Sequence, residues 1–445
     1  MGDESLYDFD ASFYLDDVRY QPWRRADYPP LATWADENRD RFDLLHTIEQ
    51  RDRFYYPSPY LAKPDRILIS NILGGSERLR HAARALQCRA MMYVGEGNAQ
   101  LAWNDLRLIY LFSRLQMPQC TIIDAMTGHA IEGVAYDGMK YLLDSGLCDQ
   151  QLLDQMAQFL SDFPPPVDIA GVIDTTDRWA MLEVRMRASD VEDVTIGQDI
   201  PGNVDLFDLP YDKNMTLRRI NQRFDEWTAM MKIDDPAKYL QAIEQYPVQA
   251  QADLQTWNNR GAIVAATISQ SVRGIYAGDA ICSWTFSNLG SAKRPYFRTL
   301  TEEQLTRMAI QLSKYRLEHG EYPESLSAMD PQLKAADLHD ICAPGEDLIY
   351  ERRADGGFLL YSRFENALDD QGTSWFGEIF RGDWTAPGED LEIDGEFVSV
   401  TDEDIDLVLR FPLPGPPPLA KPKSKAEEEA EMKAMFGEDF EMEID

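Results

Sequence analysis

The sequence is short of several things, and each shortage excludes a class of protein. It contains no Cys-x-x-Cys, and its five cysteines, Cys88, Cys120, Cys148, Cys282 and Cys342, are scattered and odd in number. That is a poor disulfide framework and a poorer zinc site, so reduced structural thiols are expected. No apolar run approaches the roughly 18 residues that a membrane span requires. The first residues, MGDESLYDFD, lack the basic-then-apolar order of a signal peptide. Read literally this is a cytoplasmic chain; a trimmed form of an envelope-associated protein would read the same way. Basic residues are scarce too: 43 Lys and Arg against 77 Asp and Glu give a net charge of −34. Such a balance opposes nucleic-acid binding, because phosphate would be repelled and not neutralised. Also missing are G-x-S-x-G, H-E-x-x-H and the P-loop, with the chemistries they announce.

What is present is apolar and helical in texture. Hydrophobic residues make up 44% and aromatics 11% of 445 residues, enough for a sizeable core. Residues 1–60 read as an extended arm with one short helix near 31–50, and 61–300 as an irregular α-helical domain. In SERLRHAARALQCRAMMYVG, Leu79, Ala82, Ala83, Leu86, Ala90 and Tyr93 share one helical face, with Ser76 as N-cap and Gly95 as stop. The GGSERLR that opens this helix reads as an ordinary cap, or less simply as an anion cradle of backbone N–H groups. Asn98 caps a second helix, and the short glycine link between them predicts a helical hairpin of tetratricopeptide type, without a 34-residue repeat. Further helices are expected from Pro118 to Gly146, over 149–163 and 174–189, and at 213–232, 236–246, 249–273 and 301–319.

After residue 320 the pattern becomes β. DLIYERRADGGFLLYSRF places two strands around Ala354-Asp355-Gly356-Gly357, a hairpin signal, and a third strand is expected at 396–401. Residues 301–410 therefore read as a small α+β unit and 411–445 as a proline-rich linker with an acidic tail. The joint is YRLEHGEYPESL, where His319-Gly320 has the form of a helix C-terminus: glycine for the left-handed residue, histidine at the negative end of the dipole.

LSKYRLEHGEYPESLSAM followed by DLIYERRADGGFLLYSRFENALDDQG resembles the C-terminal part of type II secretion pseudopilins. There a helix ends in a His/Asn-Gly-x-Tyr-Pro turn before a small hairpin and an acidic loop. The long apolar N-terminal helix of a pseudopilin is absent, and ICAPGED stands where an Asp-Pro-Trp-Gly turn is usual. More broadly, WRRADYPPLATWADENRDRFDLLHTIEQRDRFYYPSP and the block from LQCRAMMYVGEGNAQLAW to IIDAMTGHAIEG resemble a family of uncharacterised planctomycete proteins. That resemblance implies a helical domain with a pseudopilin-like tail and an envelope association, and no activity.

Two segments are candidate sites. Glu365, Asn366, Asp369 and Asp370 gather oxygen ligands of the kind Ca²⁺ takes, although the spacing is not that of an EF-hand and a solvated turn is the plainer reading. The resemblance to pseudopilins, some of which hold calcium there, implies the same. In the tail, Met432, Met435, Phe436 and Phe440 fall on one helical face flanked by acids, which suits docking into a protein groove with a basic rim. Seven acids between Asp190 and Asp212 form a further acidic loop, and His129 inside an apolar helix reads as a hydrogen-bonded core residue. The expectation is a non-enzymatic interaction or scaffold protein, mainly α with an α+β appendage. The alternative is a calcium-binding component of an envelope or secretion-type assembly.

Overall fold

The computed structural model describes residues 18–50, 73–117, 121–167, 169–187, 210–243, 245–246, 257, 259–289, 292–329, 335–364, 366–372, 390–393, 396–399 and 406–413. Several of its helices begin where a side chain satisfies a free backbone N–H group. The arm carries two short helices, α1 (Pro29–Glu37) and α2 (Arg39–His46), where one was expected. Helix α3 runs Leu73–Gly95, so it starts ahead of Ser76 and places that residue in its first turn. Asn98 caps α4 (Ala99–Gln116) by accepting from Leu101 N. Thr121 and Asp124 form a reciprocal capping box on α5 (Ile122–Asp144), each side chain taking the other's backbone N–H. Asp149 caps α6 (Gln150–Asp162).

Helices α3, α4 and α5 pack on one another as the core bundle. After α6 a short helical turn at Ile169–Val172 and a π-helical turn at Ile173–Asp177 lead into α7 (Arg178–Arg187). A second cluster pairs α8 (Lys213–Met231) with α10 (Gln270–Leu289), and α9 (Arg260–Ile268) packs on α10. The helix expected over 249–273 is thus replaced by two that meet at Ser269, whose extended backbone separates them. Residues 236–243 are helical, within the expected 236–246.

Helix α11 (Arg294–His319) starts seven residues before the expected 301, with Pro295 in its first turn. It crosses the boundary drawn at residue 300 and packs against α5, α6 and the sheet. Buried polar residues fill its middle, and each has a partner. Glu302 takes Arg298, Glu303 takes Arg307, and Gln304 donates to the Asp337 and His339 carbonyls. The helix ends as expected, with Gly320 at φ 84° and its N–H on the Arg316 carbonyl. His319 stacks on Tyr315 at 3.9 Å and is part of that ending.

Strands β1 (Ile349–Arg352) and β2 (Phe358–Ser362) form the expected hairpin. Between Asp390 and Ser399, β3 (Asp390–Ile393) and β4 (Glu396–Ser399) pair only with each other. The third strand of the main sheet is instead β5 (Leu407–Phe411), antiparallel to β2, with Phe358 opposite Phe411. The linker therefore begins later than residue 411: Leu413 N still bonds Asp144 at the end of α5, at 3.0 Å. A Cβ on Gly357 would collide with the Phe411 carbonyl, so a glycine there lets β5 approach the hairpin. Met1–Pro414 forms one compact unit and Gly415–Asp445 another, which lies outside the described residues. Among the described residues no helix is long and apolar enough to cross a membrane.

Candidate functional site

Where α3, α5, α11 and β5 come together they leave a cavity of about 500 Å³, within the size range of small-molecule sites. Helix α5 supplies one wall, because Met126, His129, Ala130, Gly133, Val134 and Asp137 recur at three- and four-residue intervals and so share a face. Helix α11 supplies Arg294, Arg298, Thr299 and Glu302 by the same rule, and α3 supplies Arg80 and Arg84. Arg19 enters from the N-terminal segment, which is fastened to α3 by Trp23: its Nε1 donates to the Cys88 carbonyl at 2.9 Å. Phe364, just past β2, and Leu407 of β5 close the far side.

Five arginines thus face one space in a chain of net charge −34. Arg80 with Arg84 and Arg294 with Arg298 are like charges four residues apart on a helix, and Arg298 has Glu302 beside it as a counter-charge. Two carboxylates share the wall, and both are matched. Glu302, 3% exposed, accepts from Arg298 Nε at 2.7 Å, and Asp137 pairs with Lys140 at 2.6 Å. Burial pushes the Glu302 carboxyl upward against the pull of Arg298.

His129 is 3% exposed, with Nδ1 2.9 Å from Thr299 Oγ1 and its ring edge-on to Tyr296. Its Nε2 is buried and has no hydrogen-bond partner, and neither has Arg80 Nε. Burial, helped by the positive charge of Arg114, lowers the imidazole to about 3, so it is neutral at ordinary pH. Thr299 explains which nitrogen carries the proton. The only hydrogen bond shown for its buried hydroxyl is the one to Nδ1, and a buried O–H without an acceptor is costly. The hydroxyl can satisfy itself by donating to Nδ1, while Nε2 is fully buried. The expectation of a hydrogen-bonded core histidine holds, through Nδ1.

The described residues of the loop expected to hold calcium are hydrogen-bonded within the protein. Asp369 Oδ1 accepts from the Tyr361 hydroxyl and from Gln371 N, both at 2.9 Å, while Asn366 Nδ2 donates to Asp370 Oδ2 at 3.0 Å. Asp406, just before β5, accepts the N–H groups of Asp370 and Gly372 at 3.0 Å each. Three residues other than glycine, Phe364, Ala367 and Gln371, take positive φ to make this wrap. Glu365 lies outside the described residues, and among those described no group of three His, Cys, Asp or Glu side chains is placed to hold a metal ion. The tail residues Met432, Met435, Phe436 and Phe440 also lie outside the described residues, as does the acidic loop from Asp190 to 209.

A second polar cluster ties the arm to the bundle. His46 Nε2 is 2.9 Å from Asp105 Oδ1, and Arg89 holds the same carboxylate through Nε at 2.8 Å and Nη2 at 2.6 Å. It is a buried latch between α2, α3 and α4. Thiol chemistry is disfavoured at Cys88, Cys148 and Cys282, where burial raises each thiol, the last two to about 12.

The cavity arginines were missed in the sequence, although the signal was there: Arg-x-x-x-Arg occurs at 80–84 and again at 294–298. What no linear pattern shows is that both pairs turn toward one space. Compared with family models, curated proteins and solved structures, the chain matches none of them.

Proposed function

We propose that this chain is a binding protein for a small anion, held in the cavity between α3, α5 and α11. The observation that carries this reading is the convergence of two like-charged arginine pairs and Arg19 on one concave space. Arginine forks match carboxylate and phosphate oxygens with paired hydrogen bonds. A binding role fits the wall better than catalysis: its histidine is neutral and tied to Thr299, and its two carboxylates are matched by cations. The docking role expected for the tail rests on its apolar spacing alone.

The test is thermal unfolding of the full chain in phosphate and in chloride at equal ionic strength. A ligand bound only by the folded state raises the midpoint. Phosphate should raise it for the wild type and leave it unchanged for the double variant Arg80→Gln/Arg84→Gln. Equal responses of the two proteins would refute the cavity as the anion site.

A further inference from the structure

We infer that the cavity's ligand is a monocarboxylate with a compact apolar body, a deepening that rests on the anion-binding reading above. The state of the arginines is the first reason. Arg298 is paired with Glu302, and Arg19, Arg84 and Arg294 are each engaged with other groups of the protein. Arg80 differs. It is half-buried, its Nε is enclosed without a partner, and among the described residues none bonds its two terminal nitrogens. One free guanidinium calls for one anionic group, and its planar fork matches the two oxygens of a carboxylate with parallel hydrogen bonds. With the other four arginines engaged, a second negative charge would find no free fork.

The apolar wall is the second reason. Met126, Ala130 and Gly133 follow one another at four- and three-residue steps along α5, and Phe364 and Leu407 bound the same space. Met126 and Gly133 are only half-buried and Ala130 is exposed, so the chain itself leaves this face of the helix uncovered. A small inorganic anion would gain nothing from such a surface, whereas an apolar body is removed from water by it. A space of about 500 Å³ has room for such a body together with its carboxylate.

Gly133 is the third. The other glycines of α5 have packing reasons to be there: a Cβ on Gly128 would sit on Met117, and one on Gly138 would sit on Leu106. A Cβ on Gly133 would meet only Glu302 Oε2, at 3.9 Å, on the cavity wall. Glycine inside a helix is destabilising relative to alanine, and neither packing nor a positive φ requires one at this position. What it preserves is room for the ligand's apolar body against the helix.

The experiment is titration calorimetry of the full chain, at about pH 7.5, where a carboxylate is ionised, with four probes: hydrocinnamate, acetate, hydrocinnamyl alcohol and inorganic phosphate. Hydrocinnamate should bind at least about tenfold more tightly than each of the others. Gly133→Leu, whose side chain would occupy the apolar space, should bring hydrocinnamate down to the level of acetate. Arg80→Gln, a change at a half-buried position, should weaken hydrocinnamate about tenfold, to the level of the alcohol, and so provides a second reading should the leucine variant fold poorly. Acetate binding as tightly as hydrocinnamate would overturn the apolar body, and phosphate binding as tightly would overturn the carboxylate; either result leaves the anion site standing. The alcohol binding as tightly as the acid would overturn the pairing of a carboxylate with Arg80. Absence of binding by all four probes would remove the anion-binding reading and this inference together.

Discussion

Asp406 shows how a single buried carboxyl sets a pH dependence. Its Oδ2 takes two backbone N–H groups, its Oδ1 has no partner, and burial pushes it up to about 7, with Asp370 and Asp369 adding to the rise. In the unfolded chain the same group titrates near its ordinary 3.8. Between those values the folded state holds a proton that the unfolded state has lost, so stability falls as pH rises through the window. The thermal midpoint should therefore decline from pH 4 to pH 7, and Asp406→Asn should make the decline shallower, as calorimetry at several pH values will show. An unchanged slope in the variant would place the proton elsewhere. None of this was visible in the sequence, where Asp406 is one acid among many and Asp369 and Asp370 drew attention as calcium ligands. A hydrogen-bond acceptor and a metal ligand are the same residue type, so the sequence alone does not separate the two roles.

Among elements, legibility followed locality. Helix starts at Asn98 and Asp149 and the stop at Gly320 were readable because caps act within four residues of chain. The β1–β2 hairpin was readable from its turn. Strand β5 was not, because its partner β2 lies about fifty residues upstream and the prolines that follow it suggested a linker. Helix α11 hid its first two turns for another reason: it is surrounded by other elements, so its buried residues do not form one apolar stripe. The glycines of α5 provide a test at this scale. Gly133→Ala should raise stability by about 0.5–1 kcal/mol, whereas Gly128→Ala and Gly138→Ala should lower it by about 1–3 kcal/mol through overpacking. Denaturant midpoints of the three variants check the order. A Gly133→Ala protein as destabilised as the other two would mean that the cavity wall is tighter than the structure shows.

For the whole molecule, the excess of acids was plain from composition, and the gathering of five arginines around one cavity was not. The two have opposite salt dependence. Self-repulsion of a chain at −34 is screened by salt, so raising NaCl from about 20 mM to about 500 mM should raise the unfolding midpoint, while the same salt weakens phosphate binding in the cavity. A parallel rise of stability and affinity would show that the cavity is not electrostatically driven. The cavity also has a property that concerns its making. Arg19 and Leu407 border the same space from near the two ends of the described chain. A ribosome has released α3, α4 and α5 long before Leu407 emerges, so during synthesis the space is an open trough with its apolar wall in water. Leu407 joins the lining only when β5, the last strand among the described residues, is laid beside β2.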